Sequence, residues 1–189
     1  MTTLIAADRQ PPARAAHSFL SVVVGLGLIA AAIALLLNQE GFRRTEAMIT
    51  ASVLSLFTDG DANGAGTIVY IGIGTGSVNG LAITFLCSTV VLVTPLLLIA
   101  GSLCLLPRFG LGRVLGGLAI ALPIAVASNL ARYSLIALAL QLFGSEGFDL
   151  VHHYLGSFLV ILGLAFAIFV LLRVATGLGR RRVRRHASR

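Results

Sequence analysis

The chain has 189 residues, 57% apolar and only 11% charged, with mean hydropathy +0.98. That excludes an ordinary soluble domain, in which about a quarter of the residues would be charged. Its net charge of +7 rests on fourteen arginines and no lysine, and its length suffices for one small bundle without a second domain.

Apolar runs of eighteen or more residues, the length that crosses a hydrocarbon core, predict a polytopic membrane protein. The expected fold is all-α, with about four transmembrane helices and an interfacial extracytoplasmic segment, because lipid offers no partner to open backbone groups. Residues 1–17 read as a cytoplasmic segment, residues 18–174 as the membrane-embedded domain and residues 175–189 as a basic cytoplasmic tail.

The first span runs from Ser18 to Leu37. It is longer than a signal-peptide core, and Asn38-Gln39-Glu40 offers no small-residue cleavage site, so it reads as an uncleaved anchor. The long segment from Asn38 to Gly80 has two parts. Between Thr45 and Phe57, Ala47, Met48, Ala51, Leu54 and Phe57 recur at helical spacing, the pattern of an amphipathic helix on the interface. Thr67 to Ile73 is β-branched and reads as a short strand or a re-entrant stretch. Glycines surround it, suited either to close approach of a substrate or to a flexible loop. The run Gly72-Ile73-Gly74-Thr75-Gly76 is not a dinucleotide fingerprint, because Ser77 breaks the pattern and no strand–turn–helix unit surrounds it.

The second span runs from Leu81 to Leu106, the third from Val114 to Leu140 and the fourth from Leu150 to Val174. Pro95 and Pro123 fall inside the second and third, where a kink is expected at each. Gly112-x-x-x-Gly116 is compatible with close helix packing or with a glycine-rich turn.

Loop charge sets the orientation. Arg9 and Arg14 precede the first span, Arg108 and Arg113 bracket the turn after the second, and Arg173 to Arg185 hold six arginines after the fourth. The opposite side holds Arg43 and Arg44, offset by Glu40, Glu46, Asp59 and Asp61, and a short acidic loop with Glu146 and Asp149. The positive-inside rule then places both termini in the cytoplasm of a multi-pass plasma-membrane protein. The Arg-rich tail reads as an anchor on anionic lipid rather than a nucleic-acid site.

Three residues in different spans carry chemistry. Cys87 is expected six residues into the second span, roughly 9 Å below the outer boundary. Cys104, in the same expected helix roughly 25 Å away, is too far for a disulfide and reads as packing. Arg132 interrupts an apolar stretch at a cost of roughly 2.5 to 3.5 kcal/mol, so it should face the bundle interior or a water-filled cavity. Asn129, three residues earlier, shares its face. His152 opens the fourth span, and His153 points elsewhere around the helix. The drawn topology puts Cys87, Arg132 and His152 in the outer half of the bundle. A cation beside a thiol favours the nucleophilic thiolate, an imidazole shuttles protons, and a guanidinium donates to an oxyanion. No metal or cofactor is expected, since bis-His haem ligation would need a second buried histidine facing His152.

Phe85-Leu86-Cys87-Ser88-Thr89, Asn129-Leu130-Ala131-Arg132 and His152-His153-Tyr154-Leu155-Gly156 together resemble the exosortase/archaeosortase family across roughly Gly66 to Leu172. That family carries Cys-Ser, usually followed by Gly, then Asn-x-x-Arg, then His four residues before Gly. Thr89 departs from the usual glycine, and His153 stands where an acidic residue is frequent in some members. The resemblance implies a membrane-embedded cysteine protease or transpeptidase. Its partner would be an exported protein with a C-terminal transmembrane sorting signal, transferred to an envelope acceptor through a thioester. In that scheme Cys87 is the nucleophile, Arg132 the oxyanion donor or thiolate partner and His152 the acid and base, with Asn129 and Ser88 supporting them and Asn129 positioning Arg132. The alternative is a small non-enzymatic membrane protein, a transporter subunit or assembly factor, using Arg132 as a polar pairing site.

Overall fold

The structure, a computed structural model, describes residues 19–58 and 60–177. The N-terminal segment with Arg9, Arg14 and Ser18, then Asp59, and the tail from residue 178 with its arginines all lie outside the described residues.

The chain is mostly helical, and two helical stretches are long and apolar enough to cross a membrane. Helix α1 (Phe19–Leu37) matches the expected first span. The second stretch runs from Leu111 to Thr176. It comprises α4 (Leu111–Leu150), a wide turn at Val151–Leu155 and α5 (Gly156–Thr176).

This stretch folds back on itself. Gly117 lies against Leu171, Ser128 against Gly163 and Arg132 against Gly156. All three pairs are centred close to Gly144, whose backbone (φ 65, ψ −150) leaves the helical region. Those angles are accessible essentially only to glycine. The expected acidic loop is therefore not a loop. Glu146 and Asp149 are exposed on helix, and the reversal is concentrated at Gly144. Both α3 and α4 continue through their prolines, Pro95 and Pro123, and the non-helical angle in α4 falls at Gly144 instead.

The second expected span is also corrected. Helix α3 (Val90–Leu105) starts only at Val90 and holds 16 residues, about 24 Å of helix. The apolar residues before it serve other elements. Asn79–Ala82 forms a strand and Phe85–Cys87 a single 3-10 turn. A short apolar run suits strand and helix equally, so periodicity could not separate them.

The fold is consequently not all-α. Strands β1 (Asp61–Ala65), β2 (Ile68–Ile73) and β3 (Asn79–Ala82) form an antiparallel sheet in the order β1-β2-β3. The extended reading of Thr67–Ile73 is met by β2. Helix α2 (Gln39–Leu54) packs against β1 and β2. It buries Glu46, Ala47, Thr50, Ala51 and Leu54, whereas Met48 and Phe57 of the expected apolar face are exposed.

Two cores result. One lies among α1, α3, α4 and α5, built from Leu92, Leu96, Ala100, Cys104, Leu118, Ala121, Ala167 and Leu171 with their neighbours. The other joins α2 and the sheet to the C-terminal half of α4, through Ala47, Leu54, Val69, Ile71, Ile83, Cys87, Tyr133 and Ile136. Small residues let the helices of the first core approach closely, as where Gly25 of α1 meets Gly101 of α3. The Gly112/Gly116 pair has open space around it, and the packing glycine on α4 is Gly117, against Leu171.

Candidate functional site

Cys87 closes the 3-10 turn ahead of α3, so it stands before the helix and not six residues inside it. Ser88 is extended and Thr89 turns into helical angles (φ −57, ψ −21). A residue with that φ has no need of glycine, so the Thr89 departure costs nothing in backbone conformation. A Ser-Thr pair ahead of an apolar run is itself a helix-start signal.

Three residues on one face of α4 reach this turn. Asn129, Arg132 and Tyr133 are spaced three and four apart, which places them on neighbouring turns, and all three are buried. Arg132 donates from Nη2 to the Cys87 sulfur at 3.4 Å. Its Nε is buried without a partner. Tyr133 Oη donates to the Cys87 carbonyl at 2.6 Å. Asn129 Nδ2 lies 3.1 Å from the same carbonyl, 3.0 Å from Thr89 Oγ1 and 3.0 Å from Glu46 Oε1. Asn129 therefore holds the backbone of the cysteine turn, and its side chain does not bond Arg132.

A fourth side chain comes from α2. The Glu46 carboxylate accepts from Ser88 Oγ at 2.6 Å, from the Thr89 amide at 2.9 Å, from Thr89 Oγ1 and from Asn129. One turn earlier Arg43 Nη1 donates to the Ile83 carbonyl at 3.2 Å. By sequence both belong to the charges of the segment that follows the first span. The signal for Glu46 was its place on the same helical face as Ala47, Thr50, Ala51 and Leu54, where a carboxylate breaks the apolar pattern. Glu40 and Arg44, by contrast, pair in the open at 2.6 Å, where such a contact contributes little.

The backbone donors around the thiol are all engaged. Cys87 N–H goes to Thr84 O and Ser88 N–H to Phe85 O, both at 3.1 Å. Thr89 N–H goes to Glu46, and Val90 N–H to Ser88 Oγ at 3.3 Å. The guanidinium is thus the donor directed at the sulfur, with Nε in reserve.

His152 sits in the wide turn between α4 and α5, partly buried. Its ring stacks on Phe148 with centroids 5.1 Å apart, and His153 meets it edge-on at 5.2 Å. Among the described residues His152 has no hydrogen bond to Cys87 or Arg132, and its Nδ1 is buried without a partner. Gly156, at the start of α5, brings that helix against Arg132, where an added Cβ would lie 3.0 Å from the Arg132 Cγ. The spacing of His152 and Gly156 thus puts the histidine turn beside the arginine. Cys87 and Arg132 are brought together directly, and His152 borders them.

An apolar groove of about 140 Å³ lies between α2 and α4, with Phe42, Ile49, Val126 and Leu130 on its walls and Glu46, Thr89 and Tyr133 also lining it. No group of three or more His, Cys, Asp or Glu side chains suited to a metal occurs among the described residues. The chain matches no family model, no curated protein and no solved structure, so its chemistry is read from this geometry.

Proposed function

We propose that this chain is a membrane-embedded cysteine peptidase or transpeptidase of the exosortase/archaeosortase kind. The observation that carries the reading is the Arg132–Cys87 contact at 3.4 Å, with the guanidinium Nε buried and unpartnered beside it. A buried cation with spare donors at a sulfur suits a thiolate nucleophile and a developing oxyanion. Arg43 also leaves a buried Nε unpartnered while holding the Ile83 carbonyl, so what distinguishes Arg132 is that its guanidinium is placed on a sulfur.

In the proposed reaction the Cys87 thiolate attacks a peptide carbonyl carbon. The carbonyl π pair moves to oxygen, which accepts from Arg132. Collapse of the tetrahedral species breaks the C–N bond and leaves a thioester on Cys87. The departing amine takes a proton from His152. A second amine, or water, then gives a proton back to His152 as it attacks the thioester, and the C–S bond breaks to restore the Cys87 thiolate, which gives transfer or hydrolysis respectively. With Arg132 placed at the sulfur, His152 takes the role at the leaving group, in keeping with its bordering position.

The proposed setting is four spans with both termini cytoplasmic: α1, α3 and the two arms of the α4–α5 hairpin. The outward apolar side chains of α5, among them Phe158, Ile161, Phe166 and Phe169, suit lipid contact. Helix α3, at about 24 Å, is shorter than a hydrocarbon core of about 30 Å. The Cys87 turn would then lie at the outer margin of the bilayer. Irregular backbone is tolerated there only when its polar groups are satisfied, and the Cys87 and Ser88 amides of this turn are hydrogen-bonded. The substrate class is an exported protein with a C-terminal transmembrane tail.

The test is processing of such proteins in cells carrying wild type, Cys87→Ala or Cys104→Ala. Full-length substrate should accumulate only with Cys87→Ala, and neutral hydroxylamine should release acylated wild-type enzyme. Normal processing by Cys87→Ala would sink the catalytic reading and leave the non-enzymatic alternative.

A further inference from the structure

We propose that Glu46 is the positioning residue of this site: its carboxylate fixes the Ser88-Thr89 turn so that the Cys87 thiol stays on the Arg132 guanidinium. The purpose of this device rests on the catalytic reading above, but its test does not.

Glu46 is 8% exposed, while Glu40 and Arg44 on the same helix are exposed. Among the described residues no cation pairs with it. Four hydrogen bonds from Ser88, Thr89 and Asn129 converge on it instead. A buried carboxylate without a cation is costly unless its oxygens are fully satisfied. Packing alone does not ask for one, since an apolar side chain would continue the face made by Ala47, Ala51 and Leu54.

What the carboxylate does is hold three consecutive groups of the chain that follows the nucleophile. It takes the Thr89 amide at the start of α3, where a helix leaves donors open and an anion is favoured. It also takes the Ser88 and Thr89 hydroxyls. Arg43, one turn earlier on α2, holds Ile83 on the other side of the cysteine. Helix α2 therefore grips the chain before and after Cys87, while α4 supplies the guanidinium. Binding the Thr89 amide also keeps that donor away from the sulfur, leaving Arg132 as its polar partner.

The sign of the effect separates positioning from simple charge. A carboxylate acting only through its field would oppose a thiolate, and removing the charge would make Cys87 more reactive. A carboxylate acting by position keeps the sulfur on Arg132, and moving it would make Cys87 less reactive.

The experiment uses the full chain in detergent with Cys104→Ala, so that Cys87 is the one thiol. Iodoacetamide alkylation is followed at neutral pH and across pH in five proteins: this parent, Glu46→Gln, Glu46→Asp, Arg132→Ala, and Glu46→Asp with Arg132→Ala. Glutamine keeps the length and can accept from Thr89 and Asn129 while donating to Ser88, so its rate should stay within about twofold of the parent. Aspartate keeps the charge but withdraws it by one methylene. Its rate should fall about five- to tenfold, with the profile moved to higher pH toward that of Arg132→Ala. Adding Glu46→Asp to Arg132→Ala should slow alkylation no further, because both act through one contact.

A parent-like rate in Glu46→Asp, a faster or equally slowed Glu46→Gln, or additive slowing in the double variant would each overturn the proposal. If wild type processes substrates while the Glu46 variants alkylate like the parent, positioning fails and the catalytic reading stands. If the alkylation pattern holds but no substrate is processed, the positioning stands and the catalytic reading fails.

Discussion

The two cysteines of this chain lie in two different kinds of interior. Cys104 sits among Ala100, Leu96, Val114 and Leu171, close to Gly25 of α1, in a core made of apolar and small side chains. Cys87 also counts as buried, yet Arg132, Asn129, Tyr133, Ser88, Thr89 and Glu46 surround its turn. Burial alone does not separate the two thiols. The difference is the density of satisfied polar groups around one of them. A fold built only for stability would avoid that many buried polar atoms, since each must find a partner or cost free energy.

The comparison can be broken most sharply by swapping effects between the cysteines. Cys87→Ala should abolish substrate processing, a loss of at least about a thousandfold, with little change in thermal unfolding. Cys104→Ala should keep processing and lower stability by about 1 kcal/mol. The reverse pattern in a processing assay and a detergent melt would erase the distinction.

Arg132→Lys comes next. Lysine keeps the charge but loses the planar fork and the Nε donor, so kcat should fall about a hundredfold or more with KM little changed. An equal rise in KM and no loss of kcat would assign Arg132 to substrate binding.

Gly156→Ala tests the border between the histidine turn and the arginine. The new Cβ would meet Arg132 Cγ at 3.0 Å and the Val151 carbonyl at 3.0 Å. Displacing the guanidinium by a fraction of an ångström should cost about tenfold in processing, read together with slower Cys87 alkylation. Unchanged alkylation would show that α5 does not tune the site.

The smallest effects belong to the apolar region. Gly144→Ala should destabilise the hairpin by about 1 to 3 kcal/mol through its backbone angles, with activity falling only as folded protein is lost. Gly116→Ala, which meets open space, should be neutral or stabilise by up to about 1 kcal/mol. A processing defect in folded Gly116→Ala would place function at the start of α4, far from the Cys87 turn in sequence.

Much of the site's parts list was legible before any tertiary structure. Arg132 stood out because a charge in an apolar run is costly, and its Asn129 neighbour followed from helical spacing. Cys87, Ser88 and His152 entered through the motif resemblance and their expected sidedness. What was missed lay in segments that read as something plainer. Glu46 and Arg43 were counted as loop charges, because nothing local says that their helix folds onto a sheet. Tyr133 carries no local signal beyond its place four positions after Asn129. The strand Asn79–Ala82 and the turn at Cys87 were absorbed into a span, because Leu81, Ile83, Phe85 and Leu86 are as apolar as the helix that follows.

The sequence by itself determined that the chain is rich in apolar helix, that a first apolar span runs from about Ser18 to Leu37, and that an arginine must find partners inside. Those conclusions need only hydropathy, span length and the cost of a buried charge. Tertiary structure alone decided that α2 and a three-stranded sheet pack onto the C-terminal half of α4, that the chain reverses at Gly144, and that Glu46 meets Ser88 and Thr89 across more than forty residues of sequence. Contacts of that separation depend on where whole elements pack, and no local pattern of residues encodes them.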